Sequence, residues 1–149
     1  MRILSPALKG LIKLRWSSID NFLLNPESTQ TMLFNNLVHS GQFTEFGKKY
    51  DFQHLDSVRE FKKNVPDNEY EDLKPYIQKM MEGNQNILWN SPVTWFAKSS
   101  GTTSDKSKFI PVSNESIEDG HFKSAKDLLA LYYRNLPQSG IMSGKCLTL

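Results

Sequence analysis

Apolar and polar positions alternate along the chain in patterns that change character near residue 87. In the first stretch, Leu8, Leu11, Ile12, Ile19, Phe22 and Leu23 recur at spacings of three, four and seven, which predicts an amphipathic helix. Pro6 suits a first helical turn, and Asn25-Pro26 marks its end. A second helix is predicted from about Ser28 to Val38, where Gln30, Thr31, Asn35 and Asn36 alternate with Met32, Leu33, Phe34 and Leu37. The segment from Gly41 to Phe52 reads as a packed, aromatic-rich connection. Asp56 is expected to cap a short helix running through Phe61. Asp67 is expected to cap the next helix, which Glu69, Glu71 and Asp72 favour through the positive end of its dipole. Pro75 disfavours helical geometry at Lys74 and is expected to start a separate helix, Pro75 to Glu82, closed by Gly83.

From Ile87 the pattern turns to strand formers, in Leu88-Trp89 and again in Val93-Thr94-Trp95-Phe96. A hydroxyl-rich, basic loop follows, and Phe109-Ile110-Pro111-Val112 reads as a second strand. Ser113 is a good cap for a long helix with Ile117, His121, Ala125, Leu128, Leu131 and Tyr132 on one face. Pro137 and Gly140 end it, and Cys146-Leu147-Thr148-Leu149 reads as the start of a buried strand. The expected fold class is therefore α/β. Residues 1–86 are mostly helical, and residues 87–149 run strand, loop, strand, helix, strand.

Composition narrows the classes of function. At 149 residues the chain has the length of about one domain. Eighteen basic and sixteen acidic side chains leave a net charge of +2, so electrostatics give no case for nucleic acid as a partner. No run approaches the roughly 18–20 apolar residues that span a bilayer. Lys9, Lys13 and Arg15 interrupt the region where a signal peptide's apolar core would lie. The first helix is read as packed on the protein rather than as a membrane anchor, because its polar face is not dominated by its few basic residues. The single cysteine, Cys146, rules out an internal disulfide and fits a reducing, cytoplasmic setting.

The chemically informative segment runs from Ser99 to Lys108. Gly101 lets the backbone approach a ligand closely. Ser99, Ser100, Thr102, Thr103 and Ser104 add hydroxyls beside successive backbone N–H groups, the makings of an anion-binding nest. Lys106 and Lys108 add positive charge for a polyphosphate. The Walker pattern is absent. Gly101 is followed by four residues and Lys106-Ser107 with the second glycine missing, and Gly140 to Cys146 is one residue short and ends in cysteine.

Trp95-Phe96-Ala97-Lys98-Ser99-Ser100-Gly101-Thr102-Thr103, followed by Lys106-Ser107-Lys108-Phe109-Ile110-Pro111, resembles the ATP-binding motif of adenylate-forming enzymes. More narrowly it resembles the auxin-responsive Gretchen Hagen family of acyl-acid amido synthetases. Asn25-Pro26 with Thr29-Gln30 and Phe34, Thr44 to Lys48, Tyr70 to Ile77, and Ile87-Leu88-Trp89 resemble further segments of that family, in order, over roughly residues 20–149. The resemblance implies an enzyme that uses ATP and magnesium to adenylate a carboxylic acid. It then passes the acyl group to an amine, usually that of an amino acid. It carries Ser99, Ser100, Gly101, Thr102, Thr103 and Ser104 over as nucleotide contacts, with Lys108 as the loop's basic residue. Related loops often carry a glycine where this one has Asp105, whose charge opposes a phosphate unless Lys106 or magnesium offsets it. The family's chains are several times longer, so residues 1–149 are expected to be part of an N-terminal adenylation domain. Such a part, without the remainder of the full-length chain, is expected to be inactive by itself. The alternative is a non-catalytic helical interaction module in which the loop is only a turn.

No residue in this segment is assigned a catalytic role. Leu128, Leu131 and Tyr132 can line an acyl-acid pocket, because the family places a helix near that pocket, but core packing is the first reading of each. His121 is read as an ordinary helix-face residue, and Trp89, Trp95 and Phe96 as core. His39 and His54 share no metal-ligand spacing. Cys146, in an apolar setting, is read as a buried thiol.

Overall fold

The structure is a computed structural model and describes residues 4–99, 107–140 and 145. It is mixed α/β, mostly helical, with one two-stranded sheet among the described residues. Its contacts divide the chain into two compact units, Met1–Pro26 with Glu118–Leu149, and Glu27–Ile117.

The first unit pairs helix α1 (Leu4–Leu24) with helix α6 (Lys123–Asn135). Ile12, Ile19, Ala130 and Tyr133 form the core, with Trp16 and Leu129 against it. Ala130 is fully buried, its small side chain leaving room for the Trp16 ring. The Trp16 indole N–H donates to the Ala130 carbonyl at 3.1 Å. Arg15 reaches both carboxylate oxygens of Asp127 in a fork, at 2.7 and 3.0 Å. Arg134 pairs with Asp20. Of the stripe expected on α1, Leu11, Phe22 and Leu23 are instead exposed, and the contact line runs through Ile12, Arg15, Trp16 and Ile19.

The expected face of the last helix is also displaced. Residues Ser116–Phe122 are π-helical, and α6 begins only at Lys123. The wider i→i+5 turn delays the rotation, so residues beyond it fall on other faces than a uniform 3.6-residue period predicts. Ala130 and Tyr133 are buried, whereas Leu128 and Leu131 are exposed. Ser113 does act at the helix start, its hydroxyl accepting from the Ser116 N–H at 3.1 Å.

The second unit contains α2 (Pro26–Gly41), α3 (Glu45–Lys49), a 3₁₀ turn (Phe52–His54), α4 (Val58–Asn64), α5 (Tyr70–Met81) and strands β1 (Trp95–Lys98) and β2 (Phe109–Val112). Its tightest point lies between α2 and α3. Thr44 is buried, its hydroxyl donating to the Gly41 carbonyl at 2.7 Å and accepting from the Gly47 N–H at 2.9 Å. A Cβ on Gly47 would stand 2.0 Å from the Gly41 oxygen, so only glycine fits there. The next free helix donors are taken by the chain leading to the sheet. Glu45 N–H donates to the Asn86 carbonyl at 2.8 Å and Phe46 N–H to that of Ile87 at 3.1 Å. Asn86 adopts a left-handed φ of 57° to present its carbonyl.

Two cores fill this unit. Val38, Leu55 and Val65 pack with Phe34, Phe46, Tyr50, Phe52 and Phe61, while Met80, Ile87 and Val93 pack with Tyr76, Leu88, Trp89 and Phe96. Phe46 touches both groups, edge-to-face with Phe52 at 6.1 Å and with Tyr76 at 5.6 Å.

Three expected boundaries move for physical reasons. Ser57, not Asp56, caps α4, accepting from the Glu60 N–H at 3.2 Å, while Asp56 offers its own N–H to Glu60. Helix α5 starts at Tyr70, where the Asp72 side chain accepts from the Glu69 N–H at 2.9 Å. It then runs through Pro75 without a break. An interior proline costs about 3 kcal/mol. Burying Ile77 and Met80 at about 1.5–3 kcal/mol each offsets it. Ile87 and Leu88 form bends, and neither they nor Trp89 belong to a strand. Cys146 to Leu149 lie outside the described residues.

Candidate functional site

Strands β1 and β2 pair antiparallel, with Trp95 opposite Val112, Phe96 opposite Pro111, Ala97 opposite Ile110 and Lys98 opposite Phe109. Successive side chains point to opposite faces. Phe96 therefore turns to the Met80–Ile87–Val93 core. Trp95 shares the other face with Ala97, Ile110 and Val112 and is 67% exposed, so it is not the core residue expected from sequence.

The sheet presents the hydroxyl-rich loop and closes its neck. Ser99 N–H donates to the Lys108 carbonyl at 2.9 Å, and Lys108 N–H donates back to the Ser99 hydroxyl at 3.2 Å. Two of the expected contact residues, Ser99 and Lys108, are thus brought face to face. Ser100, Gly101, Thr102, Thr103 and Ser104, with Asp105 and Lys106, lie outside the described residues.

The exit arm of the loop rests on α5. The Phe109 N–H donates to the Tyr70 hydroxyl at 2.9 Å, and the Lys108 ammonium stands 5.4 Å from the centre of the Tyr70 ring. Among the described residues no carboxylate is within ion-pair distance of Lys108. A cavity of about 460 Å³ opens beside this arm, with Tyr70, Lys74, Ile77, Met81, Ser107 and Phe109 in its wall.

A polar cluster secures the chain where it enters and leaves the sheet. The Trp89 indole nitrogen and the Ser91 hydroxyl oxygen are buried without a full hydrogen bond among the described residues. Both lie close enough to Glu115 to favour its charged form. The Ser91 hydroxyl is the main influence holding the Glu115 carboxyl below the usual range, followed by its own backbone N–H, and Ser113 and Trp89 add to it.

The remaining candidates sit apart from this geometry. Leu128 and Tyr132 lie on α6 in the other unit. Leu128 is exposed, and the Tyr132 hydroxyl accepts from Ser139 at 3.0 Å. His121 is exposed on the π-helical turn beside the Phe122 ring. Among the described residues no group of three or more His, Cys, Asp or Glu could hold a metal, and no helix is long and apolar enough to cross a membrane. Sequence reasoning missed the roles of Tyr70 and Glu115. Tyr70 lies 39 residues from its partner, a separation at which no spacing rule operates. Glu115 could have been flagged only as an acidic residue just after a Ser cap.

Residues 15–149 match the GH3 family N-terminal domain. Indole-3-acetic acid-amido synthetase GH3.2 of Arabidopsis thaliana is 34% identical over 101 residues, covering 67% of this chain and 18% of its own. The 4-substituted benzoates-glutamate ligase GH3.12 of the same plant is 30% identical over 96 residues, 64% of this chain and 16% of its own. Jasmonoyl–L-amino acid synthetase JAR4 of Nicotiana attenuata is 30% identical over 105 residues, 70% of this chain and 18% of its own. The chain thus spans less than a fifth of the length of these curated relatives.

Proposed function

The chain belongs to the GH3 family, and from that premise we propose that it is the ATP-phosphate-binding N-terminal portion of an acyl-acid amido synthetase. Ser99, Ser100, Gly101, Thr102, Thr103, Ser104 and Lys108 hold the ATP phosphates. A carboxylate oxygen attacks the α-phosphorus as pyrophosphate leaves, and the amine of an amino acid then takes the acyl group from the adenylate, releasing AMP and a proton. Leu128 and Tyr132 contribute to the acid's pocket. The fold implied is that of adenylate-forming enzymes, and the remainder of the full-length chain supplies the later steps.

The observation that carries this reading is the neck of the loop. A reciprocal pair of hydrogen bonds holds its two arms together, and a lysine with no carboxylate partner among the described residues stands at its exit. Such an arrangement suits a polyanion. Backbone and hydroxyl donors meet the phosphate oxygens, and Lys108 offsets charge as pyrophosphate departs. The donor set is hydroxyls and an ammonium, which fits phosphate rather than a bare cation. Magnesium would arrive on the triphosphate with most of its water and would screen the charge there. The relatives support the assignment of the shared step. Their names differ in the acid and agree in joining it to a second group: one is an amido synthetase, and the other two name glutamate and an L-amino acid. A segment common to all three is suited to activation, the step that does not depend on which acid is used.

The test is ATP–pyrophosphate exchange by the full-length protein across a panel of carboxylic acids. Exchange is expected with at least one acid and should fall by roughly 100-fold or more in Thr102→Ala/Thr103→Ala, since each hydrogen bond to a charged group contributes about 1.5–3 kcal/mol. No exchange with any acid, together with no stabilisation by ATP, would overturn the reading. It would favour a helical interaction module, for which the exposed Met32, Leu33 and Leu37 on α2 offer a surface.

A further inference from the structure

We infer that Tyr70 is a positioning residue for the basic exit arm of the loop, an inference that rests on the proposed role of Lys108 toward phosphate. One side chain makes two different contacts to two adjacent residues. Its hydroxyl accepts from the Phe109 N–H at 2.9 Å, and its ring lies under the Lys108 ammonium at 5.4 Å.

The backbone contact follows from the sheet's hydrogen-bond pattern. Ser99 and Lys108 exchange the closing bond, so at the next pair, Lys98 and Phe109, the Phe109 N–H points away from β1. Left alone it would be an unpaired edge donor. The Tyr70 hydroxyl satisfies it and fixes the direction in which β2 leaves the loop. Tyr70 is itself well placed to do this. It is the first residue of α5, and the Asp72 side chain clamps the Glu69 N–H just before it at 2.9 Å.

The contact with the ring has a separate consequence. A carboxylate could hold Lys108 in place only by neutralising it. An aromatic face attracts the cation through its quadrupole and leaves the full charge available to a phosphate. Two acids, Glu71 on α5 and Glu82 just beyond it, line the cavity beside this arm. Glu71 is occupied by Lys74 at 2.7 Å. Tyr70 therefore orders the ammonium without spending its charge, which is what a group poised for departing pyrophosphate requires.

The test uses the full-length protein. Tyr70→Phe keeps the ring and removes the hydroxyl, while Tyr70→Leu removes both. Tyr70→Phe is expected to raise KM for MgATP a few-fold with kcat little changed. Tyr70→Leu should lower kcat about tenfold. The decisive comparison is Tyr70→Leu combined with Lys108→Met. If the Tyr70 ring acts through Lys108, the kcat of the double variant is no lower than that of Lys108→Met alone. If the two losses multiply, Tyr70 only supports the fold and the inference fails. Amide hydrogen exchange at Phe109 gives a readout that needs no activity. Tyr70→Phe should accelerate it at least threefold, and unchanged exchange overturns the anchor. Wild-type protein silent in pyrophosphate exchange would sink the proposed function instead, and the Phe109 exchange rate would then decide the anchor by itself.

Discussion

The two units are held by different physics. In the α1/α6 unit the core is small, and direction comes from side-chain polar bonds: the Arg15–Asp127 fork, the Trp16 bond to Ala130 and the Arg134–Asp20 pair. In the Glu27–Ile117 unit, close backbone approach and interlocked rings dominate, around Gly41, Thr44 and Gly47 and around Phe46. Polar bonds at a partly exposed interface are weak and respond to salt. Close packing ignores salt but tolerates no added atoms. The region that carries the loop is of the second kind, so its geometry should be stiff and its sequence restrictive.

The largest effect should come from the tightest point. Gly47→Ala drives a methyl to 2.0 Å from the Gly41 oxygen, a backbone atom that cannot swing aside. Overpacking costs about 1–3 kcal/mol and more where backbone must move, so we expect at least about 3 kcal/mol by denaturant unfolding. A loss below about 1 kcal/mol would show that the α2–α3 junction is loose. Thr44→Val ranks next. It keeps the shape but strands the Gly47 N–H, while the Gly41 carbonyl loses the hydroxyl and keeps its bond from the Thr44 N–H at 3.0 Å. About 1–3 kcal/mol is expected, with no dependence on ionic strength.

The polar unit should give smaller and salt-dependent losses. The Arg15 and Asp127 side chains are 26% and 21% exposed, so solvent screens their fork. Asp127→Asn is expected to cost about 1 kcal/mol at low salt and measurably less in molar salt. A cost independent of salt would mean that the fork acts through packing, and the contrast between the units would lose its electrostatic half.

What sequence reading could reach follows the same division. Local rules found the break at Asn25-Pro26, the strands on either side of the loop and the Ser113 cap, because each depends on residues close in sequence. Rules of period failed where a local event upset the count. The π-helical turn at Ser116–Phe122 shifted the face of α6, and tertiary burial of Ile77 and Met80 carried α5 through Pro75. The hydroxyl loop was legible as chemistry because its residue types stand in one run. Its supports were not. Tyr70 reaches Phe109 across 39 residues, and Asn86 turns left-handed to meet α3, which nothing in the local composition announces. Trp95 was misread because hydrophobicity alone does not say which face of a strand is covered.

The smallest expected effect concerns Glu115, and its sign distinguishes the loop-bearing unit from simple packing. The Ser91 hydroxyl, then the residue's own backbone N–H, then Ser113 and Trp89 hold the folded carboxyl below its ordinary range, against a weaker desolvation in the opposite direction. A lowered folded pKa means that the unfolded chain binds the proton more tightly, so stability rises with pH through the acid range. The contribution is fully present above the ordinary glutamate value of about 4.3 and is lost as pH falls through the lower, folded value. Glu115→Gln removes the titrating group. Its unfolding midpoint should therefore lie slightly below that of the wild type at pH 7, and the two should converge as pH falls below about 4. The same variant should also loosen the pull on Ser91 and Trp89, read as faster amide exchange across β1. A midpoint difference that persists unchanged at acid pH would mean that Glu115 contributes through contacts rather than charge. The loop-bearing unit would then owe nothing to this charge.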